Sequence, residues 1–153
     1  MSLKIEVNAN NLKKALHELS NKLSNLKPAL NQIGYYLLEV TEDSFEDEKS
    51  PFGSPWSDLT PVTWKQKQKL GYTKKLQNKG ILASSIDFST TADHLILGTN
   101  LEYAPIHQFG GFAGKNKSTH IPARPFLPID IDGNIPNSVE KEIIDFLKNY
   151  IKK

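Results

Sequence analysis

The chain has 153 residues and a net charge of +2, a length that suits one domain with a core built without cross-links. Cysteine is absent, which excludes disulfides, Cys-ligated zinc, iron–sulfur clusters and a thiol nucleophile. Charged residues are 24% of the chain and no apolar run nears the ~20 residues of a bilayer span, so neither a disordered chain nor a transmembrane protein is expected. The opening MSLKIEVNAN holds no apolar h-region, so no secretory signal is expected either.

In chain order, Leu3, Ile5 and Val7 alternate with Lys4 and Glu6, the period of a short strand. Asn8, Asn10 and Asn11 supply N-cap chemistry for a first helix. Leu12, Leu16, Leu19, Leu23 and Leu26 then fall at spacings of 4, 3, 4 and 3, an amphipathic helix with a leucine seam; His17 is expected to face solvent. Pro28 ends this helix or opens the next, whose apolar positions run through Leu30, Ile33, Leu37 and Val40 to Phe45. Gly34 interrupts it at a cost of about 1 kcal/mol against Ala, and is read as a mark of close helix packing.

Ser50–Trp56 is a loop by composition and sets Phe52 and Trp56 on a segment expected to be exposed. Pro61 starts a short Lys-rich helix ending near Gly71. A strand is expected from Leu82 to Ser89, a turn over Thr90–Asp93 and a return strand over His94–Gly98, which together make a hairpin. Tyr103–Phe109 suits a short helical turn, and Gly110–His120 a mobile loop rich in glycine and lysine. Three prolines hold Ile121–Pro128 extended, at most as an edge strand. Asp132-Gly133 is a turn, and Asn137 with Glu140 resembles a capping box. The last helix sets Val139, Ile143, Phe146, Leu147, Tyr150 and Ile151 on one face. The pattern predicts α+β: a small, mainly antiparallel sheet against two N-terminal helices and a C-terminal helix.

The basic residues are 18 Lys and one Arg, Arg124, a poor endowment for reading DNA sequence, which favours the guanidinium fork. Charge is also segregated. Six acids fall within Glu39–Glu48 and six lysines within Lys65–Lys79. They read either as two solvated faces or as opposite-sign patches that meet between copies.

The search for chemistry returns little. His17, His94, His107 and His120 show no zinc-site spacing, and His107 is expected to be a structural imidazole bonded to backbone. There is no G-x-S-x-G elbow, and no phosphate loop or dinucleotide fingerprint. Hydrolysis of cell wall or phosphoesters therefore lacks a nucleophile, a metal set or an acid pair, and the chain is expected to be no enzyme and to need no cofactor or metal.

Four segments, in order, carry a resemblance: Pro51-x-Gly53-x-x-Trp56, Gly80-Ile81-Leu82-x-Ser84-Ser85-Ile86, Tyr103-Ala104-x-Ile106-His107-Gln108-Phe109-Gly110-Gly111, and Pro122-Ala123-Arg124-Pro125-Phe126-Leu127. Together they resemble the phage virion morphogenesis proteins, the tail completion family of Mu-like and P2-like phages, over roughly residues 30–150. Departures are Asn78-Lys79-Gly80, where relatives often read Asp-Thr-Gly, and lysines in the Gly111–His120 loop where many carry arginines.

The resemblance implies a structural protein of a phage or prophage, a single domain over residues 1–153, acting at the tail end or the head–tail junction. It implies a ring-like homo-oligomer such as a hexamer, and contacts with other tail or neck proteins but no membrane. It also implies residence in the host bacterial cytoplasm during assembly and in the virion tail afterwards. The alternative is a neck protein whose lysines 65–79 face DNA non-specifically. Loops near 49–60 and 110–120 are expected to be mobile and to order as neighbours dock. Phe52, Trp56, Phe109 and Phe112 would be their anchors, or else would cap the local core, with Tyr103, His107 and Gln108 in the adjoining motif. Pro-Ala-Arg-Pro-Phe-Leu would be a clamp, with Phe126 and Leu127 in the core and Arg124 gripping a carboxylate or backbone carbonyls; the competing reading has Arg124 facing a partner or DNA.

Overall fold

The computed structural model describes residues 10–153. The strand expected at Leu3–Val7 lies outside them. Helix α1 spans Asn10–Ser24 and α2 Lys27–Asp47 with Pro28 in its first turn, so the proline opens the second helix. α2 ends where Glu48 turns left-handed at φ 54° and donates its N–H to the Ser44 carbonyl. α3 follows over Pro61–Lys69, capped by the Thr60 hydroxyl on the Thr63 N–H at 3.3 Å.

Two hairpins carry the strands. β1 (Asp87–Thr90) pairs with β2 (Leu95–Gly98), antiparallel, with Phe88 opposite Leu97. The Leu82–Ser85 stretch expected to begin β1 is instead a helical turn, α4 (Ile81–Ser84), entered through Gly80 at φ 69°. α5 spans Ala104–Phe109. The Gly110–His120 segment expected as a loop is a second hairpin: β3 (Gly111–Ala113) pairs with β4 (Thr119–Ile121), with a single 3-10 turn at Lys115–Lys117. β3 is too short for its alternation to be seen in sequence. α6 spans Asn137–Lys152. Its start lacks the expected capping box, because Pro136 holds the cap position and Asn137 already lies in the first turn. The class is α+β as expected, with the sheet divided into two separate pairs.

α2 is the spine. Its Ile33 and Leu37 meet Val139 of α6, with Ile143, Phe146 and Leu147 around them. Further along, its Phe45 enters a second cluster with Trp56, Leu82, Ile86, Ala104 and Phe126. Thr41 and Ser44 are buried on this face and return their hydroxyls to Leu37 O and Val40 O at 2.8 and 3.0 Å, so neither is left unpaired. Gly34 does mark close packing, but against a strand: the Phe88 ring of β1 lies over it, 2.3 Å from where a Cβ would stand.

Candidate functional site

Three prolines keep residues 122–128 extended, and the segment is fastened on both sides. Arg124 donates its backbone N–H to His107 O at 2.7 Å. Its side chain is buried, with Nε donating to Ser57 O at 2.8 Å and Nη2 to Asp58 O at 3.0 Å. The fork thus grips two backbone carbonyls, as the clamp expectation had it. Gln108 supplies the second fastening. Its Oε1 accepts from the Phe126 and Leu127 N–H groups, both at 2.9 Å, and its Nε2 donates to Leu127 O and Ile129 O at 3.1 and 2.9 Å. Every hydrogen-bonding position of that buried amide is therefore engaged.

Phe126 is fully buried, 5.3 Å from the Phe45 ring, and Leu127 packs partly against the same cluster. Gly110, at φ 74°, carries the chain from α5 into β3 so close to this segment that a Cβ would lie 2.9 Å from Ala123 N.

Trp56 corrects an expectation. It is 4% exposed, edge-on to Phe45, with Nε1 donating to Pro125 O at 2.7 Å. An indole flanked by Pro and Ser looks like a loop anchor, but its partner lies 69 residues away, beyond any local pattern. The loop before it is closed by Ser50 N–H to Ser54 O and Trp56 N–H to Glu48 O, both at 2.8 Å.

Lys75 completes the knot. Its Nζ donates to Trp56 O and pairs with the Asp58 carboxylate, both at 2.8 Å, and its backbone N–H donates to the Glu48 carboxylate. The lysine's hydrogen bond and charge hold the Asp58 carboxyl below its ordinary range. Lys74 pairs with Glu46 at 2.5 Å. The acidic and basic runs therefore meet, in part, within one chain.

Outside this knot stands a rim of exposed aromatics. Phe52, Tyr103 and Phe109 are each more than two-fifths exposed, and Phe112 on β3 is 61% exposed, edge-on to His120 at 5.2 Å. The candidate residues thus divide. Trp56, Gln108, Arg124 and Phe126 build the clamp; Phe52, Tyr103, Phe109 and Phe112 face outward.

His107 lies between the two sets, in a cleft of about 350 Å³ with Thr63, Lys67, Asn78, Tyr103 and Arg124. Among the described residues its buried Nδ1 has no hydrogen-bond partner, contrary to the expected backbone bond. Burial, and then the Arg124 charge, push its pKa below the ordinary value. Burial likewise lowers the pKa of Lys67, whose Nζ donates to Gln77 O at 2.6 Å. Among the described residues no carboxylate lines this cleft to orient the imidazole. No group of His, Asp or Glu that could hold a metal ion occurs among the described residues.

The sequence profile of the phage virion morphogenesis family matches residues 7–152. Among curated proteins, the chain is 32% identical to Mu-like prophage FluMu G protein 2 of Haemophilus influenzae over 151 residues, 98% of this chain and 96% of that one. It is 32% identical to FluMu G protein 1 of the same organism over 67% of each chain. It is 31% identical to the putative capsid assembly protein G of Escherichia phage Mu, over 75% of this chain and 72% of that one. No solved structure matches.

Proposed function

The chain belongs to the phage virion morphogenesis family, and from that premise we propose that it is a tail completion subunit acting at the tail end or head–tail junction. A structural role in phage assembly is what the family match supports. The finer placement rests on one observation: beside the hydrogen-bonded clamp, Tyr103 and Phe109 at the two ends of α5 and Phe112 on β3 are exposed. Ordered, exposed aromatics give interface area at little entropic cost. The subunits close into a ring, because head-to-tail contacts around a symmetric tail do so when the rotation permits. This reading assigns the chain no catalysis; Arg124, Gln108 and Lys75 are tied to backbone or to Asp58. It works in the host cytoplasm during assembly and remains in the tail.

The DNA-facing alternative keeps Lys65, Lys69 and Lys79, which are exposed, while Lys67, Lys74 and Lys75 bind groups of their own chain. Deleting the gene from an inducible prophage and counting infectious particles tests the assembly reading. Loss of particles, restored by the wild-type chain and not by Tyr103→Ala/Phe112→Ala, is expected. Normal yields without the protein would overturn it. A salt-dependent mobility shift abolished by replacing Lys65, Lys69 and Lys79 would favour the alternative.

A further inference from the structure

The cleft around His107 is lined by two cations, Lys67 of α3 and Arg124, and among the described residues by no acid. Burial lowers the Lys67 and His107 pKa values and the Arg124 charge adds to both, so the three groups stand within electrostatic reach of one another. Neither cation is saturated. Lys67 gives one of its three N–H groups to Gln77 O, and Arg124 gives two of five, to Ser57 O and Asp58 O. All three acceptors are neutral carbonyls, and neither cation makes an ion pair among the described residues.

Two acids act on these cations from outside the lining. Glu48 holds up the Lys67 pKa, and Asp58 with Glu48 opposes the burial that lowers Arg124. Both are already engaged by Lys75: Asp58 pairs with its Nζ at 2.8 Å, and the Glu48 carboxylate accepts its backbone N–H. The rest of the lining is neutral. Leu59, Leu76, Ile81 and Leu82 make an apolar wall, and Ile81 is 48% exposed, so the wall reaches the surface. A hydrated dianion such as phosphate would gain nothing from four aliphatic side chains. A carboxylate on a hydrocarbon stem uses both the charge and the wall.

We propose that this cleft binds a carboxylate carried on a short apolar stem, with Lys67 and Arg124 on the anion and the leucine and isoleucine wall on the stem. In proteins that group is a glutamate side chain or the end of a chain whose last residue is apolar. Tyr103 belongs both to the cleft and to the exposed rim, so the bound group would lie beside the outward aromatics. The site does not depend on the assembly reading, since it would take a free carboxylate in the isolated chain.

An NMR titration of the full chain, followed at the His107 ring, tests it. 4-Methylpentanoate should shift the His107 signals saturably, with a dissociation constant on the order of 1 mM for so small a probe. It should also raise the His107 pKa, because a nearby anion favours the imidazolium. 4-Methylpentanamide, which lacks the charge, and acetate, which lacks the stem, should each bind about tenfold more weakly or worse. Lys67→Gln keeps a donor for Gln77 O and should weaken binding about tenfold. Ile81→Glu puts an acid into the cleft and should abolish binding, and both variants should melt with the wild type. N-acetylleucine and the α-amide of N-acetylglutamic acid then separate the two sources: tighter binding of the first names a chain terminus, of the second a side chain, and binding of neither overturns the assignment to protein carboxylates. Failure of 4-methylpentanoate to shift His107, equal binding of its amide, or binding unaltered in both variants overturns the site. Tighter binding of inorganic phosphate than of 4-methylpentanoate also overturns it. The particle count above judges the assembly reading separately.

Discussion

The clamp and α1 are both built from strong sequence patterns, yet they end in opposite conditions. Around Phe126, aromatic rings, a guanidinium, an amide and an ammonium close on one another, and their polar atoms reach backbone or carboxylate partners. Along α1, Leu12, Leu16 and Leu23 of the seam stay in solvent and Leu19 is only half-buried. Apolar periodicity reports that a face wants burial. It does not report whether the chain's own residues or another copy supplies the cover. In an assembly protein the uncovered face is where function is sought, and the satisfied knot is what holds that face in place.

The contrast can be broken hardest at Phe126. Fully buried and packed on Phe45, it should cost about 3–5 kcal/mol on replacement by Ala, read by urea or thermal unfolding. Gly34→Ala gains helix propensity but drives a methyl into the Phe88 ring; a net loss of about 1–2 kcal/mol is expected, reversed when Phe88→Ala is added. Arg124→Lys keeps the charge but cannot reach both Ser57 O and Asp58 O with a planar fork. About 1–2 kcal/mol should be lost, with assembly falling in step with melting temperature. Loss of assembly at unaltered melting temperature would show that Arg124 faces a partner instead.

Acid should weaken the same region through His107. Its folded pKa lies below the unfolded value of about 6.5, so below that pH the unfolded chain binds more protons. Stability is complete above that value and declines as pH falls toward the folded pKa. His107→Gln should flatten the decline in a melting series. The smallest effect belongs to α1: Leu16→Gln should change the stability of the monomer by no more than about 0.5 kcal/mol. A larger loss would mean that the seam is already covered within one chain.

Much of the architecture was legible because its causes are local. Pro28 and Pro61 start helices, the Thr90–Asp93 turn joins two alternating strands, and the last helix shows its apolar face directly. Where structure and expectation differ, the causes are distant partners, very short elements or a helix start shifted by one residue. Trp56 looked exposed because the Pro125 carbonyl that fixes it is remote. β3 and β4 were missed because three residues carry no periodicity. The capping box failed because Pro136 displaced the helix start by one position.

By itself, the amino-acid sequence determined the α+β class, the extended, proline-bracketed stretch around Arg124, and the absence of cysteine chemistry. Each follows from residue type and spacing. Only the tertiary structure decided which aromatics turn inward, that Lys74 and Lys75 meet acids of their own chain, and that α1 lies on the outside. The reason is physical: local pattern sets what a segment can form and which face seeks cover, whereas burial depends on which remote surfaces reach that face first.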